Sequence, residues 1–314
     1  MIIDIHAHFH IEGMPPQAYQ ERFVKYLASL ARKSEEEMRK TIERTYDPTG
    51  EKLIQAMDEA GIDKTVIFNY DVGLLKGIGD DKFSIMEQNR FYAKMAAKYP
   101  ERLIAFVGVD PRRGEAIKIL ETGVKDWGMK GAKILPWAGF YPNDKNIYPF
   151  YARVQELGIP IICHTGPEPV PSYSKYGQPI FLDDVVKDFP GINIIAAHAG
   201  GYFAWWPEAA ELASGNPNLY IELSTWQNRT RKWPIEEFYK PLRKIINVAG
   251  RHKVMFGSDW PALMNYMSQA DWVKKFTDIP EEVRQAGIEF TEKEITGILG
   301  GNAARVLGLT SSSP

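Results

Sequence analysis

The sequence has a single cysteine, Cys163, so no disulfide can form within the chain and a reducing compartment is the expectation. No apolar stretch approaches the ~20 residues that a membrane-spanning helix needs. The opening residues Met1–His6 lack the basic flank and apolar run of a secretion signal, and a soluble, cytoplasmic protein is expected. Neither sign of charge is in excess, with 38 Lys and Arg against 40 Asp and Glu, so the basic footprint of a nucleic-acid binder is missing. Also missing is a G-x-G-x-x-G turn after the first apolar run, which argues against a dinucleotide-binding fold. No internal repeat and no linker rich in Gly, Ser or Pro divides the chain.

What is present is a 314-residue chain with 44% hydrophobic and 25% charged residues, enough to bury a large core. Short apolar runs occur at 2–5, 65–68, 103–109, 132–135, 160–163, 192–197, 219–223 and 254–256. Each is hydrophobic nearly throughout, as expected of parallel strands covered on both faces. Amphipathic segments separate them; Leu53, Ile54, Met57 and Ala60, for example, share one helical face and stop at Gly61. Eight strands alternating with helices predict a (β/α)8 TIM barrel, read as one domain over 1–309 with a frayed tail at 310–314. Two segments exceed the minimal barrel. A helical insertion at about 10–46 follows the first strand, with helices expected over 17–30 and 34–45, and extra helices follow 280. The apolar positions Phe23, Tyr26, Leu27 and Leu30 predict a packed helix face, and an origin beside the first strand's end predicts a cover over the barrel mouth.

The histidines acquire meaning on this map. His6 and His8 close the first run, His164 the fifth and His198 the sixth, while Asp259 follows the eighth. In a barrel, the carboxyl ends of all strands share one face, so these five side chains converge. His6 and His8, two apart on a strand, point the same way and can grip one ion. With His164 and Asp259 they make a nitrogen-rich set that suits zinc better than calcium or magnesium.

The segments Asp4-Ile5-His6-Ala7-His8, Ile162-Cys163-His164-Thr165-Gly166, Ala197-His198-Ala199-Gly200-Gly201 and Phe256-Gly257-Ser258-Asp259-Trp260-Pro261 occur in that order. Together they resemble the amidohydrolase superfamily, in the amidohydrolase-related branch that includes aminocarboxymuconate-semialdehyde decarboxylase and lactone hydrolases. The resemblance implies one divalent ion, most simply Zn2+, held by His6, His8, His164 and Asp259. It implies that His198 is catalytic, that Asp259 doubles as proton carrier, and that the protein is a homodimer acting on a small molecule. One departure stands out: the branch's decarboxylase carries a substrate-binding arginine shortly before Met57-Asp58, whereas 49–53 here has only Lys52. Binuclear relatives carry a carbamylated lysine at the end of the fourth strand; Lys133 lies on that strand but before its end, so a single ion is expected.

Substrate contacts are expected from His10 and from the loop aromatics Tyr70, Trp137, Tyr141, Trp226 and Trp260, which would wall a flat apolar pocket. Among the loop arginines Arg112, Arg113, Arg229 and Arg231, at least one is expected to meet a substrate carboxylate, with Arg229 the first candidate. His252 belongs to the opposite, structural end of the barrel, and Cys163 to the core. The leading reading is a hydrolase in which ion-activated water attacks a lactone, amide or similar carbonyl. The alternative is a non-oxidative decarboxylase of an aromatic or conjugated acid using the same residues. A binding protein on an inactive barrel fits least, because all five polar positions are intact.

Overall fold

The apolar runs become strands because aliphatic side chains on alternate sides are covered both by the barrel interior and by surrounding helices. In a computed structural model, which describes residues 1–309, the strands are β1 (Ile3–Ala7), β2 (Lys64–Ile67), β3 (Leu103–Ala105), β4 (Val107–Gly108), β5 (Ala132–Ile134), β6 (Ile161–His164), β7 (Ile194–Ala197), β8 (Leu219–Glu222) and β9 (Val254–Met255). The expected tail at 310–314 lies outside the described residues. All neighbouring strands pair in parallel and in chain order, β1 to β3 in one sheet and β4 to β9 in another.

Two details join these sheets. The third apolar run is not one strand but two, parted at Phe106. There the Phe106 N–H bonds to Ile67 O on one side at 2.9 Å, and the Val107 N–H bonds to Gly131 O on the other at 2.8 Å. At the far seam, β1 meets the last strand through Ile5 N–H to Phe256 O (3.1 Å), Asp259 N–H to His6 O (2.9 Å) and His8 N–H to Trp260 O (2.8 Å). Counting β3 and β4 as one, the eight strands make the (β/α)8 barrel that the periodicity predicts.

Ile3, Ile5, Val66, Phe68, Phe106, Ile162, Ile195, Ala197 and Met255 form the inner cluster. Ala303, Ala304 and Val306 of the C-terminal helix Asn302–Val306 complete it. The approach is tight: a Cβ on Gly300 would stand 2.3 Å from Met1 O. No helix among the described residues is long and apolar enough to cross a membrane.

The insertion folds into α1 (Gln17–Ala31) and α2 (Glu35–Glu43), the latter opened by a Ser34–Glu37 capping box. The single apolar face expected of α1 is instead divided between two partners. Tyr19 and Phe23 pack with Val72, Leu75, Leu135 and Trp137, whereas Val24, Ala28 and Leu27 pack with Met38 of α2. Leu30, expected on that face, is 69% exposed because the helix has turned past both partners by its last turn. The Arg22 guanidinium ties α1 to the loop after β2 through Gly77 O at 3.0 Å. Through Tyr19 and Trp137 the insertion therefore reaches the barrel mouth.

Candidate metal centre

His6 and His8 emerge together where β1 ends, and each ring is fixed by its Nδ1. His6 Nδ1 donates to Glu222 Oε1 at 2.7 Å, and His8 Nδ1 donates to Phe68 O at 2.9 Å. Since a carbonyl and a carboxylate only accept, both rings carry their hydrogen on Nδ1 and present a lone pair at Nε2. The two Nε2 atoms stand 3.1 Å apart, and Asp259 Oδ1 lies 3.5 Å from the first and 3.3 Å from the second. Three electron-rich atoms so close repel one another unless a cation sits among them. The spacings match the edge, about 3.3 Å, of a tetrahedron around an ion with ligand distances of roughly 2.0–2.1 Å. These three residues fit a divalent metal.

The electrostatics agree. Burial, reinforced by the Lys133 ammonium, holds His6 well below the usual imidazole range and brings His8 down to about 3. Both rings are therefore neutral and able to ligate at neutral pH. Asp259 is raised to about 6, chiefly by burial, with His198 opposing. Asp259 and His198 also hold left-handed backbone angles, φ 57° and φ 61°, which side-chain-bearing residues seldom adopt.

His164, at the end of β6, is placed one imidazole further out than the three facing donors. Its Nδ1 lies 3.1 Å from His198 Nε2, and its Nε2 lies 3.5 Å from Glu168 Oε2. His198 is anchored from behind: its Nδ1 is 2.7 Å from Ser224 Oγ, its N–H donates to Glu222 Oε1 at 2.8 Å, and its carbonyl accepts from the Trp226 indole at 3.0 Å. Trp226 thus touches the back of His198.

Glu222, which sequence reasoning missed, ties the centre together, since one fully buried carboxylate accepts from His6, His198 and Ser224. A Cβ on Gly257 would fall 2.3 Å from Glu222 Oε2, so only glycine lets the last strand pass this close. The signal was available: a carboxylate embedded in the apolar run Leu219–Leu223 must have a buried partner. Glu168 is the second missed residue; burial pushes its carboxyl up to about 8 beside His164.

Of the expected wall aromatics, Tyr70 stacks on His8 with ring centroids 4.0 Å apart, and Trp137 stands edge-on to His164 at 5.9 Å. Tyr19 of α1 stacks on Trp137 in turn. Trp260 packs edge-on to Phe9, and Tyr141 sits between Tyr176 and Phe181. His10 Nδ1 lies 2.7 Å from Thr45 Oγ1. The arginines are engaged with other groups. Arg112 bonds both oxygens of Asp110, Arg113 bonds Asp71 and Asp80, and Arg229 donates to the carbonyls of Tyr202 and Glu237. Arg231 is exposed, over the Tyr266 ring. Cys163 is a buried thiol raised to about 12 by burial, and His252 is exposed at the opposite end of the barrel.

Residues 3–309 match the family described as Amidohydrolase. The chain belongs to the amidohydrolase family. This amidohydrolase is 25% identical to a 2-keto-4-carboxy-3-hexenedioate hydratase from Sphingobium sp., over 98% of this chain and 96% of that one. It is 22% identical to a 2-amino-3-carboxymuconate-6-semialdehyde decarboxylase from Dictyostelium discoideum, over 70% of this chain and 65% of the other. Among solved structures, a dihydroxybenzoic acid decarboxylase from Polaromonas sp. JS666, with bound manganese and the inhibitor 2-nitroresorcinol, superposes with TM-score 0.66. It is 18% identical, with 98% and 97% of the two chains covered, a likeness of fold.

Proposed function

We propose that this amidohydrolase is a metal-dependent carboxy-lyase that removes CO2 without oxidation from a small aromatic or conjugated carboxylic acid. The observation that carries the reading is the aromatic enclosure of the donor cluster. Tyr70 lies flat on His8 and Trp137 stands on edge against His164, so aromatic rings line the donor cluster, a surrounding suited to a planar guest. The names of the relatives, two decarboxylases and a hydratase of unsaturated acids, support the same chemical class.

His6, His8 and Asp259 would hold the ion, with His164 as the further ligand; the two imidazoles favour zinc, while the Polaromonas enzyme carries manganese. Bound there, a divalent ion supplies Lewis acidity that draws electron density from the substrate. The chain's own residues do the rest. Tyr70 and Trp137 would orient the ring, and α1 backs Trp137 through Tyr19. As the C–C bond breaks and CO2 departs, its electron pair takes a proton, leaving C–H in place of C–COO⁻. His198, gripped by Ser224 and Trp226, or the carboxyl of Asp259 delivers that proton.

Addition of water is the second reading: hydration, favoured by the hydratase relative that aligns over nearly the full length of both chains, or hydrolysis, favoured by a fold neighbour described as a probable 2-pyrone-4,6-dicarboxylic acid hydrolase from Acinetobacter baumannii. A panel of aromatic acids, conjugated dicarboxylic acids, lactones and amides, scored in parallel for CO2, for pH change and for loss of conjugated absorbance without CO2, separates the two. CO2 from an acid supports the lyase. Lactone or amide opening without CO2 replaces it with the hydrolase.

A further inference from the structure

A carboxylate outside the donor cluster ties together the seam that brings His6 to Asp259. Asp4 is fully buried and stands two residues before His6, yet it faces the other way. Residues two apart on a regular strand share a side. Here β1 takes three steps, from Asp4 to Ala7, against two on β2, from Thr65 to Ile67, and this bulge parts them. His6 packs on Phe68 of the inner cluster, whereas Asp4 meets Gln269 on the outer helix Gln269–Thr277.

Four donors converge on the Asp4 carboxylate. Its Oδ1 accepts from the His6 N–H at 3.1 Å and the Ser258 N–H at 2.9 Å. Its Oδ2 accepts from the Ser258 hydroxyl at 2.5 Å and the Gln269 amide at 3.0 Å. The Ser258 hydroxyl, oriented in this way, accepts in turn from the Trp260 N–H at 3.1 Å. Ser258 and Trp260 flank Asp259, whose own N–H bonds to His6 O at 2.9 Å and whose φ of 57° belongs to a tight, unusual turn. None of the four donors carries a charge. A buried carboxylate without a counter-charge costs stability, and what it supplies here is geometry in two places at once.

We propose that Asp4 is a positioning residue for the metal centre. Through the His6 N–H and through Ser258 it fixes both sides of the closing seam, so that His6 Nε2 and Asp259 Oδ1 face one another 3.5 Å apart. The proposal rests on His6 and Asp259 as ligands. Asparagine in place of Asp4 keeps the shape but turns one acceptor into a donor, set against the two N–H groups or against the Gln269 amide. One side of the seam is then released.

The test loads metal-free protein with Co2+, whose visible absorption reports its ligands, and measures affinity by competition with a chelator. Asp259→Ala provides the reference for a lost ligand. Asp4→Asn, with every donor present, should bind Co2+ about 10–100-fold more weakly, the span of an outer hydrogen-bonding partner, and shift its band toward that of Asp259→Ala. Ser258→Ala, which cuts the hydroxyl link and spares the carboxylate, should move both readouts the same way by less. Glu294→Gln, in the helix Glu292–Thr296 where it loses charge opposite Arg243, is the stability control and should melt lower with Co2+ affinity and band unchanged. The proposal is overturned if Asp4→Asn and Ser258→Ala match the wild type in both readouts, or if Glu294→Gln loses as much affinity as they do. Should Asp4→Asn not fold, Ser258→Ala decides alone by the same criterion. If Asp259→Ala itself binds and absorbs like the wild type, the ligand reading falls, and the proposal with it.

Discussion

At the scale of single residues, the candidate centre divides into atoms that would face an ion and atoms that aim them. Glu222 belongs to the second group. Glu222→Gln would keep the shape and remove the charge opposite His6 Nδ1, and such partners typically account for 10–100-fold in metal affinity. Competition with a chelator should show a loss of that size, with the fold intact. His198 is expected to behave differently. His198→Ala should retain its metal and lose roughly 10²–10⁴ in rate, the span of one acid–base group. If it lost metal as readily as His164→Ala, His198 would be a ligand and the roles proposed for the two rings would exchange. The five polar positions were readable from sequence because strand ends in a barrel share a face. The aiming residues were not, since Glu222, on the seventh barrel strand, meets His6 only once the eighth strand has closed against the first.

At the scale of elements, strands were legible as apolar runs and helices as periodic ones, and their boundaries fall within a few residues of those expected. The division at Phe106 was not legible, because it records a change of partner from β2 to β5 that no local pattern encodes. The two-sided packing of α1 was hidden for the same reason. It makes a separable prediction: Tyr19→Ala should change kcat or KM in a folded, metal-replete protein, because Tyr19 supports Trp137. Leu27→Ala, which faces α2, should leave kinetics alone and cost about 1–2 kcal/mol in urea unfolding, less than a fully buried leucine. A further element reports on acid stability. Thr291 and Glu294 form a capping box at the helix Glu292–Thr296, and Glu294 also takes two bonds from Arg243 at 2.7 and 3.0 Å. Arg243, with the Thr291 contacts adding to it, holds this carboxyl down at about 2. A lowered folded pKa stabilises above the unfolded value, near 4.3, and that increment fades as pH falls toward 2. Glu294→Gln should therefore be less stable than the wild type at pH 6, the difference shrinking between about pH 4.5 and 2.

At the scale of the whole molecule, the barrel is held by its two seams and by the helix Asn302–Val306, whose Ala303, Ala304 and Val306 plug the inner cluster. Gly300 stands where even a methyl group would meet Met1 O, so Gly300→Ala must displace either the plug or β1. A cost of about 1–3 kcal/mol, as for overpacked cores, is expected in denaturant unfolding. The seam between β1 and the last strand also bears on how the enzyme comes into being. His6 precedes Asp259 by 253 residues, yet their donor atoms finish 3.5 Å apart. On the proposed ligand set, a nascent chain can hold no complete ion-binding site until Asp259 has been translated and the ring has shut. Capture of an ion by these donors would then follow closure of the ring, and chains truncated before Asp259 should remain metal-poor because the acid that completes the cluster has yet to arrive.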